Sequence, residues 1–165
     1  MIIPKIMTNF KIIGKFNEDY TNVPDGLYTA HEGCDINCPS GTDLISDRDC
    51  LVISVITGIT GYGNCLVLQD TQDERLFYLA GHLSCIIIQK GQLVNAGDII
   101  AESGNTGGRT GIIAAHLHTG TYLVETKEIW NKDDTGFYYS NKWLVNQKLA
   151  VDPMNHNTKW IGTLK

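Results

Sequence analysis

From Gly41 onward the sequence alternates short apolar, β-branched runs with polar or glycine-rich turns, and nothing before residue 125 sustains a helical period. An amphipathic helix needs apolar residues recurring every three to four positions, whereas a run of four to eight closed off by turn residues reads as a strand. Residues 51–56 (Leu-Val-Ile-Ser-Val-Ile) fit the second template and run into a glycine-rich turn over 57–63. A second strand follows at 65–68, a polar turn at 70–74 and a third strand at 76–79. Lys90-Gly91 and Asn95-Ala96-Gly97-Asp98 punctuate the next two strands; residues 103–111 read as a long glycine-rich loop and 116–124 as one more strand. β-branched residues suit a pleated surface, and the 17 glycines suit tight turns between such strands. The chain is expected to be all-β.

At 165 residues it is most simply one domain, long enough to bury a core without staples. Residues 1–24 read as an irregular arm or edge strand leading into the domain. The tail differs in kind, with Trp130, Phe137, Tyr138, Tyr139 and Trp143 interleaved with Asn, Lys and Asp. These aromatics are expected to pack onto the sheet as a hairpin or loop, the sharper alternative being a wall of a binding cleft. Residues 142–150 fit one short helix, and Val151-Asp152-Pro153 marks a chain turn.

A net charge of −5 argues against a nucleic-acid partner, since phosphate recognition needs a basic surface. It gives no support to electrostatic attachment to anionic membranes. No stretch reaches the length of a transmembrane helix, and residues 1–16, broken by Lys5, Asn9, Lys11 and Lys15, do not read as a signal peptide. The expectation is a soluble chain made in the cytoplasm, without membrane insertion. Five cysteines (Cys34, Cys38, Cys50, Cys65, Cys85) form an odd set, and most lie beside apolar runs. Free, mostly buried thiols are expected, which suit a reducing compartment during folding.

The chemistry concentrates in His31-Glu32-Gly33-Cys34-Asp35 and His116-Leu117-His118. In a β pattern two residues one apart point to the same side, and so do His31 and Asp35 if their segment is extended. Zinc takes nitrogen and oxygen ligands at about 2 Å, and a catalytic zinc keeps one position open. Three of these side chains suffice to hold the ion, leaving a histidine for proton transfer. Any one of them alone reads as an ordinary surface or core histidine; the paired motifs do not. Gly81-His82-Leu83-Ser84 adds a further histidine at a strand end. His156 stands outside any motif and reads as a surface residue.

With these pieces the chain resembles the lysostaphin/LytM-type zinc metallopeptidases, which cleave peptide cross-bridges in bacterial cell walls. The matching elements are residues 31–35, Gly41-Thr42, Gly61-Tyr62-Gly63-Asn64, residues 81–84, Gly91-Gln92-Leu93-Val94, Gly104-Asn105-Thr106-Gly107 and residues 116–118. They occur in the family's order over about residues 25–124, and residues 151–153 resemble its closing motif. Each is weak singly; seven in order are not.

The resemblance implies an antiparallel, barrel-sandwich hybrid-like core of the duplicated-hybrid-motif type with short helical or loop insertions. It implies a LytM-like domain over 25–165, in which 126–150 is an aromatic-rich insertion bordering the substrate groove. It also implies one zinc held by His31, Asp35 and His118, with His116 as general base and His82 holding the oxyanion or protonating the leaving amine. Tyr62, Asn105 and Thr106 become candidate substrate contacts, and the substrate a peptidoglycan stem peptide or cross-bridge. The chain departs from the pattern in a longer link at Ile112-Ile113-Ala114-Ala115 and in Thr119, where an aromatic residue is frequent.

Readings from other classes are weaker. A non-catalytic relative that binds the wall or activates another hydrolase usually loses ligands, yet the histidines and aspartate are all in place here. Residues 90–102 also resemble the hairpin of biotinyl and lipoyl carriers, but no carrier lysine motif is present. Phosphotransferase sugar-uptake domains place histidines on a similar barrel without needing His-x-His beside His-x-x-x-Asp. The glycine-rich 104–111 segment lacks the Gly-Lys-Ser/Thr ending of a phosphate-binding loop. The sequence therefore points to a peptidoglycan endopeptidase, expected to be a phage virion or lysis protein or an extracellular domain.

Overall fold

Alternation at a period of two decides the architecture. The computed structural model describes residues 1–5, 11–18, 30–124 and 150–154. Its strands are β1 (Ile2–Pro4), β2 (Lys11–Gly14), β3 (Cys34–Asn37), β4 (Asp43–Ser46), β5 (Cys50–Ile56), β6 (Cys65–Asp70) and β7 (Leu76–Gly81). They are followed by β8 (Cys85–Ile86), β9 (Leu93–Val94), β10 (Ile99–Glu102), β11 (Gly104–Gly107), β12 (Gly111–Leu123) and β13 (Ala150–Val151). Among the described residues there is no helix, so none is long and apolar enough to cross a membrane.

The strands form two antiparallel sheets. The smaller runs β1-β4-β10-β8, and the larger runs β2-β3-β12-β7-β6-β5-β9, with β11 and β13 also paired to β12. Leu66, Leu68, Tyr78 and Ala80 enter the main core with Ile2, Ile3, Ile36, Leu44, Ile100 and Leu117. Their neighbours Val67, Phe77 and Leu79 form a second cluster with Tyr122 and Val124. Adjacent residues of β6 and β7 thus feed different clusters, which is why both strands read as unbroken apolar runs. Within the main core Tyr78 donates its hydroxyl to Asp70 at 2.8 Å, satisfying a buried polar pair.

Each described part of the 1–24 segment contributes an edge strand, β1 to the small sheet and β2 to the large one. The expected loop at 103–111 is corrected: it holds β11 and the start of β12, paired as a hairpin. The strand expected at 116–124 accordingly begins at Gly111. Ala150, placed at the end of a helix by sequence, lies in β13; residues 142–149, the 126–149 aromatics and His156 fall outside the described residues. All five cysteines are free and four are buried, as expected of the set; Cys85 is exposed although it precedes the apolar run Ile86-Ile87-Ile88.

Candidate metal centre and active site

β12 lies between β3 and β7, so His118 is flanked across the ladder by Asp35 on one side and Gly81 on the other. Directly opposed residues of an antiparallel pair project to the same face, which brings the aspartate beside the histidine. His116 shares that face by alternation, while Leu117 between them points into the main core. His31 arrives from the segment just before β3.

Three donor atoms meet there. His118 Nδ1 lies 2.9 Å from Asp35 Oδ1 and 3.1 Å from His31 Nε2, and His31 Nε2 lies 3.2 Å from Asp35 Oδ1. Ligands bonded to a tetrahedral zinc at 2.0–2.1 Å stand about 3.3 Å apart, so this nearly equilateral triangle has the size of one face of such a site. Its proton count points the same way. His31 Nδ1 faces the Lys15 carbonyl at 2.9 Å, and a carbonyl only accepts, so the ring hydrogen sits on Nδ1. Nε2 of the neutral ring is then bare, facing a carboxylate oxygen. Neutral His118 brings at most one proton to the triangle, and its Nε2 is buried with no hydrogen-bond partner among the described residues. A cation placed there would meet three lone pairs at once, those of His31 Nε2, Asp35 Oδ1 and His118 Nδ1. The residues fit the metal.

The electrostatics record the same crowding. Burial by itself raises the Asp35 carboxyl, but the hydrogen bonds and charges of His118 and His31 outweigh it and hold the group far below the usual carboxylate range. Burial lowers His118, whereas for His31 the bond and charge of Asp35 overcome burial and raise it.

His82 and His116 stand next to this triangle, with ring centroids 4.6 Å apart. His116 Nε2 is 3.7 Å from Asp35 Oδ1, and its Nδ1 donates to the Ala114 carbonyl at 2.8 Å. His82 Nδ1 donates to the Thr106 carbonyl at 2.8 Å. Both rings therefore keep a bare Nε2 when neutral. Burial, then the nearby His118 and His116, push His82 down to about 4, so it is neutral at neutral pH. His82 leaves β7 with φ of 63°, a left-handed conformation in which His is more at home than most residues. Backbone bonds His82 N to Tyr62 O (2.7 Å) and Leu83 N to Asn64 O (3.0 Å) brace it. Gly104, opposite His116 in the hairpin, lets β11 approach this turn: a Cβ there would lie 2.6 Å from the His82 carbonyl oxygen and collide with Ser84 N.

The other candidates divide. Tyr62 is half-buried with its ring 4.9 Å from that of His118, facing the centre. Asn105 is half-buried on β11. Thr106 braces the site, accepting from Asn64 N at 3.0 Å, donating to Leu83 O at 3.0 Å and holding His82 through its carbonyl. Asn64, which sequence reasoning left without a role, ties Gly58 N (3.2 Å) to Leu83 O (3.1 Å); its signal was the Gly-Tyr-Gly-Asn motif.

Glu32 was also passed over. Burial pushes its carboxyl up to about 7, against the lowering effects of the Tyr62 hydroxyl and His31. Its ordinary value is 4.5, so between 4.5 and 7 the unfolded chain has lost a proton that the folded protein keeps. Stability contributed by this site therefore falls as pH rises through that window. E32Q is expected to raise the melting temperature by roughly 2–6 °C at mildly alkaline pH and by nothing below the window, read by thermal unfolding across pH.

The sequence pattern of peptidase family M23 matches residues 29–129. This chain belongs to peptidase family M23. Among relatives of the M23 chain, the peptidoglycan DD-endopeptidase ShyB of Vibrio cholerae is 36% identical over 108 residues, 66% of this chain and 24% of that protein. A crystal structure of a zinc-containing peptidase from Vibrio cholerae is 32% identical, with a TM-score of 0.60 covering 70% of this chain and 34% of that one. The catalytic domain of lysostaphin from Staphylococcus simulans, 22% identical, shares the fold, with a TM-score of 0.62 over 83% of this chain and 98% of that domain. The M23 chain spans 22%, 24% and 30% of the length of three curated relatives that it matches.

Proposed function

We propose that this chain is a zinc-dependent endopeptidase that hydrolyses peptide cross-links of bacterial peptidoglycan. One observation carries the reading: three converging donor atoms of His31, Asp35 and His118 stand beside two histidines with bare Nε2 atoms. Membership in a peptidase family with a relative named as a peptidoglycan DD-endopeptidase supports the substrate class.

His31 Nε2, Asp35 Oδ1 and His118 Nδ1 would hold the ion. Bound there, zinc would supply the Lewis acidity to polarise a scissile carbonyl and to lower the pKa of water towards about 7. His116, its Nδ1–H fixed on Ala114, presents Nε2 as the base that takes the proton of the attacking water. His82 is held neutral by burial, so it donates to the oxyanion or the leaving amine only after taking up a proton itself. Tyr62 and Asn105 border the substrate, and Thr106 keeps the His82 ring turned. Five free thiols support synthesis in a reducing compartment before the enzyme meets the wall.

The test is digestion of purified cell walls with different cross-bridges by the zinc-loaded protein, with released fragments identified by mass. Fragments are expected to carry one added water at a stem-peptide or cross-bridge amide, with the glycan intact. No cleavage across the panel would replace this reading with that of a wall-binding module.

A further inference from the structure

The segment before the family-matched region reaches the back of the metal centre. Residues 11–18 lie outside the 29–129 match, yet their contacts fall on both ligands of the His31–Asp35 motif. Gly14 is the ladder partner of Asp35, after an irregularity in β2 that turns Ile13 outward. A Cβ at Gly14 would lie 2.6 Å from Asp35 Oδ2, so the carboxylate occupies the space a side chain would fill. Lys15 then offers its carbonyl to His31 Nδ1 at 2.9 Å. Asn17 N donates to His31 O at 2.9 Å and His31 N donates to Glu18 O at 3.0 Å, so the histidine is gripped by backbone on both sides.

The turn that makes this possible is locally built. Asn17 has φ of 59°, a left-handed conformation that Asn tolerates and a β-branched residue does not. Lys15 N donates to Glu18 Oε2 at 2.9 Å and Glu18 N donates to Lys15 O at 3.1 Å, which closes the turn. The Phe16 backbone bonds the buried Cys34 sulfur, pinning the turn to the start of β3. Both points of contact are atoms that face away from the donor triangle: Nδ1 of His31 and Oδ2 of Asp35. Their partners Nε2 and Oδ1 form the triangle.

We propose that residues 14–18 are a positioning bracket for the metal centre: Lys15 fixes the His31 tautomer that presents Nε2, and Gly14 leaves the room in which the Asp35 carboxylate sits. Partners of this kind orient metal ligands, and their loss costs about 10–100-fold in metal affinity. The inference deepens the zinc reading and rests on it. It makes the segment part of the site, and leaves the side facing His82 and His116 open to substrate.

Zinc affinity is measured by chelator competition for the whole chain and for G14A, N17V, N17G and I13A. G14A and N17V are expected to lose about 10–100-fold, while N17G, which keeps the left-handed turn, and I13A, on the exposed bulge, retain the parent affinity. In the metal-free protein, ring nitrogen resonances at mildly alkaline pH are expected to report a single Nδ1–H tautomer for His31, mixed in N17V and restored in N17G. Should G14A fail to fold, the Asn17 pair decides. A folded N17V with parent affinity and an unchanged tautomer would overturn the bracket. A parent protein that binds no zinc would overturn the metal reading instead, and the tautomer comparison would still decide what residues 15–18 do.

Discussion

Replacing His118 with alanine is expected to strip the protein of zinc and lower kcat/KM on cell walls by at least about 10³-fold. The position sits at the middle of the ladder, opposite Asp35 and Gly81, and contributes one corner of a triangle whose other corners are 2.9 and 3.1 Å away. Two donors cannot hold the ion in an open tetrahedral site. The fold is expected to survive, because the ladder is held by backbone bonds and the main core is filled from the opposite face of β12. In the metal-free state the loss is also visible in Asp35: without the His118 bond its carboxyl is expected to titrate higher than in the parent. Circular dichroism and zinc content by native mass spectrometry are measured alongside activity. Full zinc content with full activity in H118A would show that the ligand set has been misassigned.

Changing His116 and His82, the histidines proposed to handle protons, is expected to separate metal binding from turnover. H116A is expected to keep one zinc per chain and lose about 10²–10⁴-fold in kcat with little change in KM. For His82 the informative change is asparagine. The residue holds φ of 63°, and alanine would add backbone strain to the loss of the ring. H82N retains the left-handed preference, so its loss of kcat reports on the imidazole. Because the two rings work on the same proton inventory, the double variant is expected to fall little below the worse single one. Zinc loss in H116A would instead make His116 a ligand, against its place outside the three-donor group, with Nε2 3.7 Å from Asp35 Oδ1.

The strands at 51–56, 65–68 and 76–79 were legible because β-branched, apolar residues fill both faces and turn residues close each run. β11 was not. Its sequence is Gly-Asn-Thr-Gly, with no apolar side chain to reveal a face, and its extended form comes from pairing with β12 and from the close approach that Gly104 permits. Local composition therefore reads as loop what tertiary contact makes strand.

At the site, even spacing made two pairs legible, His116 with His118 and His31 with Asp35. Their meeting depended on β3 lying beside β12, which no local pattern states. His82 was visible only through the motif around it. The bracket was invisible for a simpler reason: Lys15 contributes a backbone carbonyl, which every residue carries, and Gly14 contributes the absence of a side chain. Glu32 sat in plain view within the first motif, but its burial is a product of the fold and its partner Tyr62 lies far away along the chain.

The central claim is most directly tested by titrating the chelator-stripped protein with zinc while following new amino groups released from purified walls. Release is expected to be absent without metal, to rise in proportion to added zinc and to level off at one equivalent per chain. Undiminished release from the stripped protein, or none from the protein carrying one zinc, would contradict it.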